Sequence, residues 1–512
     1  MIKKHIFFVI LIGVLGLYLR FYHIEFGLPH SFHADEPEIV ELAIKYTYEI
    51  RSIISNNEYY KLIPISYVYG TFPAYFFTGV NMFFSKILNI FNFSFDKTTL
   101  YIILRSVNLI LTFTIIPAIV WLSYKLFKNK KAWITAFILL ALNWKLIVHA
   151  HYINTDIIVA LLLTLSFLTF LDYHNSKNDT KYTVLTGILF GLAVGTKITA
   201  LITLPAYIYV FLVKKDYRNI FGFLFTIFAV FMATNPFSII FANDFAFRIY
   251  TMLFKEAGMT FDSVNYNPFK YIGALSWIAT LPVFIMSLYG KYYVLKHKRN
   301  PFHIFLISNV FIYLIFYSVQ SRRVDRWVLP ILPVVILYAS YAWAVLSSKI
   351  IKPLKLGLEA MILGYYLFFP LLLLFQFQRY TPKAQAYLWA QNNLPVYITN
   401  NDYTLVYTEE GLDPLNKLQG TKVIKYEVYG SENAQFFMPE DPMNYEYVIL
   451  SSRPMENFKK PEIRKAFPFY AQKWDSFEYT VNSNFKLIKT FSLPKPNLIP
   501  LSNVYIYEKK EL

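Results

Sequence analysis

Twelve stretches of the chain are apolar over roughly the length of a bilayer crossing, which takes about 20 residues in a helix, and polar or charged residues separate them. The first runs from Ile6 to Tyr22 behind Lys3 and Lys4; the others are 66–90, 101–124, 132–150, 157–173, 182–196, 199–213, 219–240, 271–290, 301–319, 328–347 and 356–377. No small-x-small cleavage site follows the first, and many spans come after it, so it reads as a retained span and not a secretory signal. Beyond residue 380 the pattern changes. A helix is expected from Pro382 to Asn392, and alternating or apolar runs at Tyr403–Tyr407, Tyr445–Leu450, Phe485–Phe491 and Val504–Tyr507 read as strands. The expectation is an α-helical polytopic membrane domain over 1–380 and a small α/β domain over 381–512.

Composition supports a membrane protein: of 512 residues, 56% are hydrophobic and 16% charged, with 42 Tyr, 49 Phe and 8 Trp. A net charge of +17 would suggest a nucleic-acid partner if the charges formed one surface. They do not: residues 1–380 hold 34 Lys and Arg against 17 acids, and residues 381–512 hold 15 of each. Short basic loops mark the cytoplasmic side. The loop with Lys125, Lys128, Lys130 and Lys131 would face outward if all twelve stretches crossed. Laying 66–90 in the outer interface leaves eleven spans and restores the alternation, with 18 basic residues against Asp172, Asp179 and Asp216 in the inner loops. The N-terminus is then cytoplasmic, while the long first loop, 23–100, and the C-terminal domain lie outside. The charge is an orientation signal, and no nucleic acid is expected. The absence of cysteine excludes disulfides, thiolate metal sites and a cysteine nucleophile.

Ionisable residues at or near membrane depth are costly, so those on the outer side are functional candidates. The first loop opens with His30-Ser31-Phe32-His33-Ala34-Asp35-Glu36-Pro37-Glu38. Three carboxylates in four positions near the bilayer favour a raised pKa and a general-base role. The competing reading makes Asp35 the cap of a helix starting near Pro37. After the third span comes His149-Ala150-His151-Tyr152-Ile153-Asn154-Thr155-Asp156. It supplies metal ligands by residue type, but the spacing matches no metal signature, and Asn154, Thr155 and Asp156 all suit a helix start. Outer cations are few: Arg105 at the head of the second span, Lys145 in the third, Lys197 ending the fifth, and Arg322, Arg323 and Arg326 before the tenth. Each alone could snorkel to headgroups. Together they suit a lipid-linked phosphate.

These motifs resemble the polytopic glycosyltransferases of the C superfamily, in the branch of the protein O-mannosyltransferases and aminoarabinose lipid A transferases. The resemblance covers nearly the whole chain. It rests on Asp35-Glu36, the aromatic-proline stretch Tyr67-Val68-Tyr69-Gly70-Thr71-Phe72-Pro73-Ala74-Tyr75, and Arg105. It continues through the second acidic motif ending in Asp156, the glycine-rich segment Gly187–Lys197, Asn235-Pro236, and Arg322–Pro333. It departs where the family places paired prolines and a lysine, and no repeated domain is inserted in a later outer loop.

The resemblance implies inverting transfer of one sugar from a polyprenyl- or dolichyl-phosphate donor to a glycan, lipid or protein acceptor hydroxyl on the outer face. It makes Asp35 the general base, with Glu36 and Asp156 positioning or polarising the acceptor. Arg105, Lys197, Arg322, Arg323, Arg326 and, more weakly, Tyr69 become candidates for the carrier phosphate, and His149 and His151 for placing acceptor or sugar. A phosphate ester is already a competent leaving group, so no metal or cofactor is expected. The rival class is a transporter or flippase of lipid-linked sugars, which would show repeated halves and charges near the midplane.

Overall fold

The protein, seen in a computed structural model, is almost wholly helical up to residue 376 and carries a five-stranded sheet beyond it. Residues 2–30, 33, 35–64, 69–90, 96–176, 179–251, 269–298, 300–320, 324–378, 380–394, 404–409, 414–418, 421–426 and 441–511 are described. The membrane part runs α1 (Ile2–Phe21), α2 (Asp35–Ser55), α3 (Phe72–Ile90), α4 (Lys97–Phe127), α5 (Lys130–Ala141), α6 (Trp144–Ala150), α7 (Thr155–Asn175), α8 (Thr180–Thr196), α9 (Leu204–Val213), α10 (Tyr217–Thr234), α11 (Phe237–Ile240), α12 (Ala242–Tyr250), α13 (Lys270–Ala279), α14 (Leu281–His297), α15 (Pro301–Ser318), α16 (Leu332–Leu346) and α17 (Lys352–Gln376).

Among the described residues six helical stretches are singly long and apolar enough to cross a bilayer: α4, α7, α10, α15, α17 and the stretch 325–346 that ends in α16. Two bent pairs raise the number to eight: α5–α6, broken by 50°, and α13–α14, broken by 106°. The expected eleven is therefore not reached by length and apolarity alone, and the breaks have local causes. Between α5 and α6, Asn143 accepts from the Leu146 N–H at 3.1 Å and starts a new helix. The carbonyls left at the end of α5 are taken by the buried Arg20 of α1, which donates to Ala141 O at 2.7 Å and Leu140 O at 3.1 Å. Between α13 and α14, Thr280 adopts φ 71°, and Pro282 follows in the first turn of α14. The stretch 66–90 yields α3, which is not among the spanning helices and packs along α2.

The tail adds α18 (Pro382–Asn393), β1 (Thr404–Glu409), β2 (Thr421–Tyr426), β3 (Tyr447–Ser451), α19 (Ser452–Phe458), α20 (Pro461–Ala466), α21 (Pro468–Asn484), β4 (Phe485–Phe491) and β5 (Val504–Lys509). The sheet order is β2-β1-β3-β5-β4, with β1 parallel to both neighbours and β5 antiparallel to both of its own. The central β3 places Val448, Ile449 and Leu450 in the interior, as a strand covered on both faces requires. The expected helix and four strands are present. Strand β2 and the helices between β3 and β4 are additions that the sequence pattern does not predict.

Packing ties this domain to the membrane part. Leu493, Leu498 and Ile499 belong to the core of the helical bundle. Gln376, at the end of α17, donates to Pro494 O at 2.6 Å and Pro496 O at 2.7 Å, and accepts from the Leu498 N–H at 3.1 Å.

Candidate functional site

Four elements far apart in the chain converge on one cluster of charge. Asn154 takes the cap of α7, accepting from the Ile157 N–H at 3.2 Å, which leaves the buried Asp156 free to point elsewhere from the first turn. Its Oδ1 lies 2.7 Å from Lys197 Nζ, at the end of α8. Its Oδ2 lies 3.2 Å from Arg326 Nε, close enough for an ion pair but off the line of a hydrogen bond. Arg326 reaches on through Nη2 to Asp35 Oδ2 at 2.6 Å. Lys197, Asp156, Arg326 and Asp35 thus form one alternating chain, formally neutral. Asp35, in the first turn of α2, is not engaged as a cap: its carboxylate meets a residue 291 positions away.

Aromatic groups line the Asp35 end. Tyr69 hydrogen-bonds the Asp35 carboxylate. The His33 ring stacks on Tyr152, with centroids 4.1 Å apart and planes at 17°, and its Nδ1 accepts from the Asp35 N–H at 3.2 Å. Trp327 lies beneath Lys197 Nζ at 5.6 Å. Burial alone would raise the Asp35 pKa, but Arg326, then His33, Tyr69 and Lys197, outweigh it and hold the carboxyl at about 2. The raised carboxyl expected in this loop is Glu38: desolvation and the nearby Asp35 charge push it up to about 7. The expectation of a raised Asp35 is corrected accordingly. Desolvation drives His33 down to about 4, so it is neutral at pH 7.

A glycine ridge sets the position of Lys197. Added Cβ atoms at Gly187, Gly191 and Gly195 would come within 2.8 Å of Thr226, 2.9 Å of Val230 and 2.4 Å of Thr234 respectively, so α8 and α10 touch nearly backbone to backbone. Gly70 closes the other side: a Cβ there would sit 1.8 Å from the Gly195 carbonyl. Asn235 fastens the junction, accepting from the Thr71 N–H at 2.8 Å and donating to Gly195 O at 3.2 Å. The loop bearing Tyr69 is thereby held against the end of α8. Gly70→Ala is expected to push that loop off Lys197 and Asp35, which would lower about 10²-fold the sugar transfer that the sequence resemblance implies. Turnover of the detergent-purified variant, beside its melting temperature, checks this.

Of the other sequence candidates, Glu36, Arg105 and His151 lie apart from this cluster, and His149 reaches it only through Tyr152. Glu36 and Arg105 are fully buried and face each other, Nε to Oε1 at 2.7 Å and Nη2 to Oε2 at 2.6 Å. Arg105 Nη1 also donates to Ile24 O and Phe26 O, both at 2.8 Å, while Glu36 accepts from the Ile153 N–H at 3.1 Å. His151 is flanked by the Ile147 and Tyr22 carbonyls, each at 2.8 Å, and stacks on Phe377 at 3.7 Å. His149 meets the Tyr152 hydroxyl at 2.9 Å. Arg322 and Arg323 lie outside the described residues. Among the described residues no group of three or more His, Asp or Glu is placed to hold a metal ion. His33, Tyr152 and Asn235 join the site without having been assigned to it from the sequence. The first two stand inside the two acidic motifs, and the Asn-Pro dipeptide is the only signal for the third.

Residues 10–255 match the family described as Dolichyl-phosphate-mannose-protein mannosyltransferase. No curated protein matches the chain. Among solved structures, ArnT from Cupriavidus metallidurans bound to undecaprenyl phosphate is similar at 11% identity over 98% of each chain, with a TM-score of 0.55. The apo form of ArnT aligns at 13% identity over 69% of this chain, which spans 62% of the length of that one, with a TM-score of 0.49. The apo oligosaccharyltransferase of Archaeoglobus fulgidus aligns at 14% identity over 97% of this chain and 76% of that one, with a TM-score of 0.48. Residues 10–255 thus match that family in sequence, and the chain, a multi-pass membrane protein, shares the fold of ArnT over nearly its whole length.

Proposed function

We propose that the chain is an inverting glycosyltransferase that moves a single sugar from a polyprenyl- or dolichyl-phosphate carrier to an acceptor hydroxyl on the outer face of the membrane. The observation that carries this reading is the alternating chain Lys197–Asp156–Arg326–Asp35, in which an ionised carboxylate and two cations share one buried site. The acceptor oxygen attacks the anomeric carbon and gives its proton to Asp35. The bond from that carbon to the carrier phosphate breaks, and the phosphate leaves with the electron pair. Arg326 and Lys197 stabilise the charge that develops on it. Asp156 holds both cations in place, and Tyr69 orients the Asp35 carboxylate.

Four of the sequence assignments change in this reading. Arg105 and Glu36 satisfy one another, so the pair serves as a clamp joining α2 to α4 and to the start of α7, in place of roles at phosphate and acceptor. His151 braces backbone carbonyls, and His149 acts through Tyr152. Arg322 and Arg323 stay candidates for the phosphate through their place in the sequence, a few residues before Arg326. The N-terminus is cytoplasmic and the C-terminal domain outside, on the basic-loop pattern.

The test incubates the purified full-length chain with polyprenyl-phosphate hexoses labelled in the sugar and follows label transfer and release of polyprenyl phosphate. Release coupled to label in an acceptor supports the reading; intact donor with every sugar tried removes it. The pH profile carries a further expectation. Glu38, raised to about 7, is protonated and neutral below that pH and ionises above it, adding negative charge beside Asp35 where an anionic donor must bind. The KM for donor should therefore rise above pH 7 in the wild type and stay flat in Glu38→Gln.

A further inference from the structure

Lys145 is 7% exposed, in the short helix α6 that follows the break in the third predicted span, and none of the described residues gives its ammonium a hydrogen bond or an ion pair. The Trp144 ring lies 5.1 Å from its Nζ. Lys197 and Arg326, the other cations of the site, each have a carboxylate, as a buried charge requires. Among the described residues the Asp325 carboxylate acts on it only from beyond ion-pair distance, which leaves Lys145 able to take an anion.

Its position says which one. Lys145 and His149 stand one helical turn apart on the same face of α6. From His149 the contacts run to the Tyr152 hydroxyl at 2.9 Å, from the Tyr152 ring to His33 at 4.1 Å, and from His33 Nδ1 to the Asp35 N–H at 3.2 Å. The charges of Asp325 and Arg326 both act on the Lys145 ammonium. That face of α6 thus opens toward the base and toward Arg326. Arg326 itself is held between two carboxylates, and its Nε lacks a true hydrogen bond.

We infer, building on the proposed function, that Lys145 is a binding group for the carrier phosphate, and that a phosphate held between Lys145 and Arg326 draws the guanidinium off Asp35 and frees that carboxylate to take the acceptor proton. Without donor, Arg326 keeps Asp35 a weak base. With donor, the same cation serves the leaving group, so the base is released only when there is a bond to break. Lys145 thus acts on binding, and through Arg326 on the base, without touching the acceptor.

The experiment measures thermal stabilisation of the full-length chain in detergent by undecaprenyl phosphate, undecaprenol and phosphatidylglycerol, for wild type, Lys145→Met and Lys145→Arg. The half-saturating concentration of undecaprenyl phosphate should rise about tenfold or more in Lys145→Met and return most of the way in Lys145→Arg. Undecaprenol should act alike on all three. Equal half-saturation in wild type and Lys145→Met overturns the role of Lys145 while leaving the proposed function standing. Phosphatidylglycerol competing as well as undecaprenyl phosphate makes this a general anionic-lipid site and also overturns it. A wild type that gains nothing from undecaprenyl phosphate sinks both readings. Lys145→Gln replaces the methionine variant if that one does not fold.

Discussion

Replacing Asp35 by asparagine is expected to lower kcat by about 10²- to 10⁴-fold, the range a positioned general base supplies. The substitution keeps the shape of the side chain and leaves an oxygen to accept from Tyr69, so the local packing has little reason to change. What disappears is the proton acceptor and one of the two carboxylates that hold Arg326. Arg326 is still held by Asp156. A guanidinium freed from one partner is also more available to an anion, so undecaprenyl phosphate should bind Asp35→Asn at least as tightly as wild type. Loss of turnover with binding retained is the signature of a base. Turnover within about threefold of wild type would remove Asp35 from that role, since no base contributes so little.

Arg105→Met should act in the opposite way, on stability. Removing one member of a fully buried ion pair leaves an uncompensated charge and costs about 3–5 kcal/mol. Here Glu36 would be the orphan, at the point where the first outer loop, α4 and the turn before α7 are joined. The loss extends to the Ile24 and Phe26 carbonyls, which give up a charged donor. A large fall in melting temperature in detergent is expected. The double variant Glu36→Gln with Arg105→Met should regain part of it, because no charge is then stranded. If Arg105 instead served the carrier phosphate, Arg105→Met would melt normally and show a raised KM for donor.

The basic loops and apolar stretches make a polytopic helical membrane protein legible from the residues alone, and the alternating runs after residue 380 show most of the sheet. Helix breaks are less visible. Asn143 reads equally well as a polar residue inside a span, and it takes the folded chain, with Asn143 capping α6 and Arg20 on the α5 carbonyls, to show that the helix stops there. Strand β2 escapes the pattern because TKVIKY is short and half polar, and its pairing with β1 comes from across the domain.

At the site, the acids and cations stand out because charge beside a bilayer is rare. Their pairing does not, because it depends on which helices meet. Arg105 and Arg326 look alike in sequence, yet one closes on Glu36 and the other bridges Asp35 and Asp156. The direction of the Asp35 pKa follows the same logic. A cluster of carboxylates suggests a rise, and an arginine 291 positions away reverses it. The glycine ridge is visible as a motif, but its physical purpose, seating Lys197 and Tyr69 against one another, needs Thr226, Val230, Thr234 and Asn235 in place.

The central claim is that the carrier phosphate and the acceptor meet between Arg326 and Asp35. An experimental structure of the full-length chain with undecaprenyl phosphate bound tests it most directly. The phosphate should sit within ion-pair reach of Arg326 and Lys145, with the 2.6 Å contact between Arg326 and Asp35 opened and space for one sugar between the phosphate and the Asp35 carboxylate. A phosphate bound elsewhere, with Arg326 still closed on Asp35, would contradict it.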